Sequence, residues 1–290
     1  MNTTTAYGLT DFTFANRIRT ILSVATYRLK LTSRYPGWMV LDIVVPTVLA
    51  AMPILLGQAV SGGAALAAQN FARNTGTPNY AAFLLIGSNI FMIVSGAFWQ
   101  IGFWLRREME TGTLEALYLM PTGRGEVIAG ISLYGAVRSL LIFFIAFIAG
   151  SVLFGINPLQ GDILLAVVFL LTGIIPLYGL SLLYGAVIIR IKEANSLVNL
   201  AQWIISFLMG LYFPVTVFPP FLRLVAQLFP PTWMVNGVRA SLLDVSFFFE
   251  HWYFDLGILF AFGLTVPLLG YLVFMRTERG VKRNAGIGEF

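Results

Sequence analysis

Arg138 and Asp42 stand out as ionisable residues inside long apolar runs. Arg138 sits about eleven residues into the run from Val127 to Phe154, roughly 16 Å along a helix, and Asp42 lies near the start of the run from Trp38 to Val60. Charges at such depth are costly, face the protein interior and tend to pair. Two roles fit them: a polar element of a substrate path or conformational switch, or charges that snorkel or fix helix packing. The second is favoured, more strongly for Asp42. A proton-coupled carrier more usually has midplane carboxylates, and here the acids lie near the ends of the runs.

Other chemistry is poorly served. The absence of cysteine removes disulfides, thiolate metal sites and cysteine nucleophiles. The single histidine, His251 beside Glu250, excludes a His-rich metal cluster and reads as a polar anchor in an aromatic stretch. Lys30, Lys192 and Lys282 follow Leu29, Ile191 and Val281, so no Gly-x-x-x-x-Gly-Lys-Ser/Thr phosphate loop exists. No catalytic residue, metal ligand or cofactor is expected on this chain, and the protein is not expected to be an enzyme by itself.

The elements that must position these residues follow from hydropathy. The 290 residues are 58% hydrophobic and only 11% charged, less than half the charge of a soluble domain. Apolar runs of roughly 20 residues, the length that crosses a bilayer core of about 30 Å, recur along the chain. The expected fold is an all-α polytopic membrane protein with six spans, at about 38–60, 80–105, 127–154, 163–189, 197–214 and 254–275. They form one transmembrane domain, 37–275, between a leader, 1–36, and a basic tail, 276–290. The first apolar run begins near Trp38 behind a charged leader, so no cleavable signal peptide is expected.

In the leader, Ile18, Ile21, Leu22, Ala25 and Leu29 keep a helical stripe flanked by Arg17, Arg19, Arg28, Lys30 and Arg34. Such a stretch reads as a basic amphipathic helix that lies in the headgroup plane and touches membrane lipids, in preference to an unstructured basic leader. Residues 61–79, small and polar, read as a short loop. Between the fifth and sixth spans, five of the thirteen prolines (Pro214, Pro219, Pro220, Pro230, Pro231) fall within eighteen residues. The pieces Phe221–Phe229 and Thr232 to about Leu243 are too short to cross, and fit a re-entrant or interfacial helical hairpin packed on protein. Ser246 to Tyr253 is aromatic-rich, as at a membrane–water boundary. Fourteen of the eighteen Lys and Arg residues fall on the side of the leader, the tail and the segment after span two. That side is therefore cytoplasmic and the proline-broken hairpin extracytoplasmic. Because the charge follows the loops, no nucleic-acid partner is expected.

That segment is the longest polar insert, Arg106 to Pro121. Leu114, Leu117 and Tyr118 fall at i, i+3, i+4 and make one apolar face, with Arg106, Arg107, Glu108, Glu110 and Glu115 around it. Pro121 ends the helix. A short amphipathic helix lying across the membrane surface is either a docking surface or a solvated connection.

The pattern resembles the membrane permease subunits of type-2 ATP-binding-cassette exporters. Arg107-Glu108-Met109-Glu110-Thr111-Gly112-Thr113-Leu114-Glu115-Ala116-Leu117 followed by Pro121 looks like that family's cytoplasmic signature R-E-x-x-x-G-T-L-E-x-L…P. Phe213-Pro214, Phe218-Pro219, Pro230-Pro231-Thr232 and Gly237-Val238-Arg239 are similar to its proline-punctuated extracellular hairpin ending in arginine. The layout of leader, six spans and short outer loop also agrees. The resemblance implies that the insert is a coupling helix docking, through Arg107, Glu108, Thr113, Leu114, Glu115 and Leu117, on a separate ATPase subunit that binds ATP and Mg. It implies an interface helix in the leader and an extracellular gate at Pro214, Pro219, Pro230 and Arg239. The translocation path would form between two permease copies, usually a homodimer, in the plasma membrane with both termini cytoplasmic.

The short 61–79 segment argues against branches with large extracellular domains. The drug-exporter branch, carrying a hydrophobic drug or lipid-like substrate, and the polysaccharide or lipid-linked glycan branch share the compact layout. A channel or secondary carrier, or a membrane scaffold, would need no ATPase. A carrier of that kind would carry inverted repeats with broken helices in both halves, whereas the one long break lies in the second half.

Overall fold

The computed structural model describes residues 14–102, 104, 123–157, 160–188 and 194–284. Among them the chain is helical with no strand: α1 (Phe14–Ser33), α2 (Pro36–Ser61), α3 (Ala64–Thr75), α4 (Tyr80–Ala97), α5 (Arg124–Phe154), α6 (Ile163–Ile188), α7 (Ala194–Leu208), α8 (Pro220–Gln227), α9 (Pro230–Leu243) and α10 (Trp252–Asn284). A π-helical turn, Phe98–Gly102, continues α4 toward the insert, and a 3₁₀ turn, Val215–Val217, precedes α8. Five helices, α2, α4 with its π turn, α5, α6 and α10, are long and apolar enough to cross a membrane. This is an all-α polytopic membrane protein.

Where the boundaries differ from the sequence reading, the cause is local. The 61–79 segment is not a loop but contains α3. Its alanines (Ala64, Ala65, Ala67, Ala68, Ala72) are the strongest helix formers, and glycines in the left-handed region, Gly62 at φ 78° and Gly76 at φ 80°, bracket it. The fifth apolar run is helical only to Leu208, a 15-residue helix of about 22 Å, because Gly210 at φ 70° ends it. Leu211 N–H donates to Ser206 O (3.1 Å) and Gly210 N–H to Phe207 O (3.0 Å), a Schellman cap. The last helix continues well past Met275 into the basic tail, where Thr277 and Glu278 are buried.

Lipid tails offer helices no hydrophobic reason to associate, so close backbone approach and polar contacts must do it. α4 is the central helix: most of its residues are buried, whereas α2 and α10 leave most of theirs open. The most extensive helix pair is α6 with α10. There a Cβ on Gly179 would collide with the backbone of Pro267, and one on Gly270 with the backbone of Gly179. α9 packs on α6 in the same way, Gly173 facing Met234 and Gly237 facing Phe169. Asp162 caps α6, its Oδ1 accepting the N–H of Leu165 at 2.9 Å. Its own N–H reaches Ser241 O of α9 at 2.7 Å.

α1 lies along α5. Arg17 pairs with Glu126 at 3.5 Å, Gly130 accepts the backbone and side chain of Ile21 and Val24, and Thr32 hydrogen-bonds Tyr134. These α5 positions are four residues apart and so share a face. Of the leader's apolar stripe only Ala25 is buried, while Ile18, Leu22 and Leu29 stay exposed. That is the pattern of a helix whose apolar face meets something other than its own fold.

Candidate functional site

The proline-broken hairpin is built around one side chain. All of α9 except Asn236 is buried, and Arg239 within it is 3% exposed. Its Nε donates to Phe83 O at 3.1 Å, one Nη to Gly210 O at 2.7 Å and the other to Leu211 O at 2.7 Å. The guanidinium carbon stands 3.5 Å from the centroid of the Phe83 ring. Gly87, one turn after Phe83, leaves the room: a Cβ there would strike the guanidinium. Burial draws the arginine pKa down from its ordinary value, and the ring of carbonyls opposes that by favouring the cation.

The carbonyls explain the arrangement. The end of α7 leaves carbonyls without intrahelical partners and carries the negative end of the helix dipole. Thr232 Oγ1 donates to Leu208 O at 3.3 Å, and Arg239 takes Gly210 O and Leu211 O just beyond the helix end. α9 thereby locks the end of α7 to the first turn of α4. Pro230 and Pro231 begin α9, where a missing N–H costs nothing. Pro214 precedes the 3₁₀ turn and Pro219 precedes α8. Phe207, Phe213 and Phe218 close the far side as an aromatic triangle with centroids 4.9–5.6 Å apart. Of the four residues expected at the extracellular gate, Pro230 and Arg239 are buried in α9, Pro214 is partly buried before the 3₁₀ turn and Pro219 is exposed before α8.

The aromatic stretch after α9 divides. Phe248 and Phe249 face Trp233, at 4.9 and 6.1 Å between centroids, and their N–H groups donate to the fully buried Asp255 at 2.8 and 3.0 Å. Phe249, Trp252 and Tyr253 also present exposed surface, as a boundary belt requires. Asp255 gives the loop its anchor. Sequence reading passed over it, although an acid in the first turn of a span is the signal.

Asp42 and Arg138 come together: Arg138 donates to an Asp42 carboxylate oxygen across α2 and α5. Both side chains remain about a quarter exposed, so the pair lies at the edge of a space and not in closed packing. Near it Gln100, in the π turn, donates to Ile131 O at 3.2 Å. Such single-turn π insertions often mark functional sites. Gln100 was missed as a candidate because a polar residue without charge barely alters a hydropathy profile.

The remaining expected site residues, Arg107, Glu108, Thr113, Leu114, Glu115 and Leu117, lie outside the described residues, between the π turn and α5. Among the described residues no three His, Asp or Glu side chains are grouped so as to hold a metal ion. The family model described as ABC-2 family transporter protein matches residues 9–272. No curated protein matches the chain.

Proposed function

We propose that this chain, which belongs to the ABC-2 transporter family, acts in that family's membrane component as an exporter permease driven by a separate ATPase subunit. The match over residues 9–272 carries the reading. It is a multi-pass membrane protein and the permease component of an ABC transporter. The sequence lacks a phosphate loop, so ATP and Mg are assigned to the partner. Two copies of the chain line the path in the plasma membrane, with both termini cytoplasmic. Support for a second copy comes from α7, whose Leu200, Trp203, Ile204 and Phe207 are exposed, and from the open face of α2. The substrate is a hydrophobic drug or lipid-like molecule. The hairpin held by Arg239 forms the outer gate, re-entrant from the extracytoplasmic side.

ATP drives transport only through its different affinity for the inward- and outward-facing arrangements, and the insert transmits that difference. Glu115→Arg and Leu114→Asp are therefore expected to reduce substrate-stimulated ATP turnover, in vesicles holding permease and ATPase, by about tenfold or more. The solubilised variants should keep their elution profile. Stimulation unchanged in both would overturn the docking assignment.

A further inference from the structure

α3 is held to the rest of the fold by little. It packs on α2 and α4, yet only Ala67 of its twelve residues is buried. The left-handed glycines Gly62 and Gly76 give it a joint at each end. Its one aromatic side chain, Phe71, turns inward and packs on the core. The Phe71 ring meets that of Tyr80 at 6.2 Å and that of Phe83 at 5.2 Å between centroids, the second nearly edge-on at 71°. Tyr80 is fixed from α2, where Gln58 Nε2 donates to its hydroxyl at 2.7 Å. Phe83 is the residue that meets Arg239 twice. Its carbonyl accepts from Nε at 3.1 Å, and its ring centroid lies 3.5 Å from the guanidinium carbon. A ring attracts a cation through its face, so the tilt of Phe83 matters as much as its presence. Phe71 packs against that ring and bears on its tilt. The lock on the hairpin therefore reaches, through one ring, a helix outside the hairpin.

We propose that α3 is a clasp for the proline-broken hairpin. Docked through Phe71, it holds the Phe83 ring beneath Arg239 and keeps α9 fastened to the end of α7; when it lifts away, the hairpin loosens. That the hairpin is an outer gate rests on the permease reading. The coupling between α3 and the hairpin does not, so it is measured on the purified full chain without an ATPase.

The chain has no cysteine, so single introduced thiols report local opening by their rate of reaction with a water-soluble maleimide. Three buried alanines serve as positions. Ala226→Cys lies in α8, in the cluster with Leu208, Val215 and Phe218; Ala67→Cys reports on α3, and Ala186→Cys, in α6, is the control. Phe71→Ala is expected to speed labelling of Ala226→Cys about fivefold, the worth of one aromatic pair, and to leave Ala186→Cys unchanged. Phe71→Leu, which keeps apolar volume without the ring, should act in the same direction to a smaller degree. Coupling between two sites is reciprocal, so Arg239→Lys should speed labelling of Ala67→Cys by a similar factor. A merely local packing role for Phe71 would speed Ala67→Cys alone, and a general loss of stability would speed all three probes alike. Either pattern, or an unmoved Ala67→Cys in Arg239→Lys, would overturn the clasp. The expected labelling pattern in a chain that co-purifies with no ATPase would leave the clasp standing and remove only the gate.

Discussion

Arg239→Leu is expected to destabilise the protein by about 3–5 kcal/mol, the sum of two buried carbonyls left without donors and a lost charge–dipole contact. The substitution is close in volume, so the loss falls on Gly210 O and Leu211 O, which both take hydrogen bonds of 2.7 Å from the guanidinium. At roughly 2–4 °C per kcal/mol, the melting midpoint in mild detergent should fall by about 10 °C. Arg239→Lys keeps the charge but not the fork that reaches three carbonyls on two elements, and should lose about half as much. If Arg239→Leu melted with the wild type, the α9 lock would not be what holds the end of α7.

Gly179→Val is expected to cost about 3 kcal/mol or more, the upper end of overpacking, and to leave little folded protein in the membrane. The new side chain would meet the backbone of Pro267, and Gly270 already presses on Gly179 from the facing helix. Neither neighbour is a flexible side chain that can turn away. The α6–α10 pair would have to separate, and with it the support for α9. Gly257→Ala on the same α10 is the control, since a Cβ there meets nothing within 4 Å. It should be neutral or slightly stabilising. Equal yield and melting of Gly179→Val and Gly257→Ala would contradict tight packing at this crossing.

Much of the architecture was legible because a bilayer permits few solutions. Long apolar runs had to be helices, and the ends of α2, α5 and α6 fall within a few residues of those read from hydropathy. Proline spacing likewise placed α8 and α9, since proline opens a helix as readily as it stops one. What escaped was set by single residues in context. Gly210 ended α7 six residues before Pro214, and nothing in an apolar run marks a glycine as a left-handed cap and not a packing residue. The alanines of α3 were outweighed by the asparagines and glycines around them. In the segment around α9, Arg239 was found by its neighbours in sequence, yet its partners Phe83, Gly210 and Leu211 contribute backbone carbonyls, which every residue has and no motif records. The Asp42–Arg138 pair was legible from the cost of intramembrane charge. The cavity of about 900 Å³ that the pair lines, between α1, α2, α4 and α5, was not, because its wall draws on four separate helices.

Co-purification of the full chain from its native membrane in mild detergent, followed by mass measurement of the intact assembly, bears most squarely on the permease reading. The expected result is a particle of two copies of this chain with two copies of an ATPase that carries a phosphate loop. Recovery of this chain without any ATPase would contradict it.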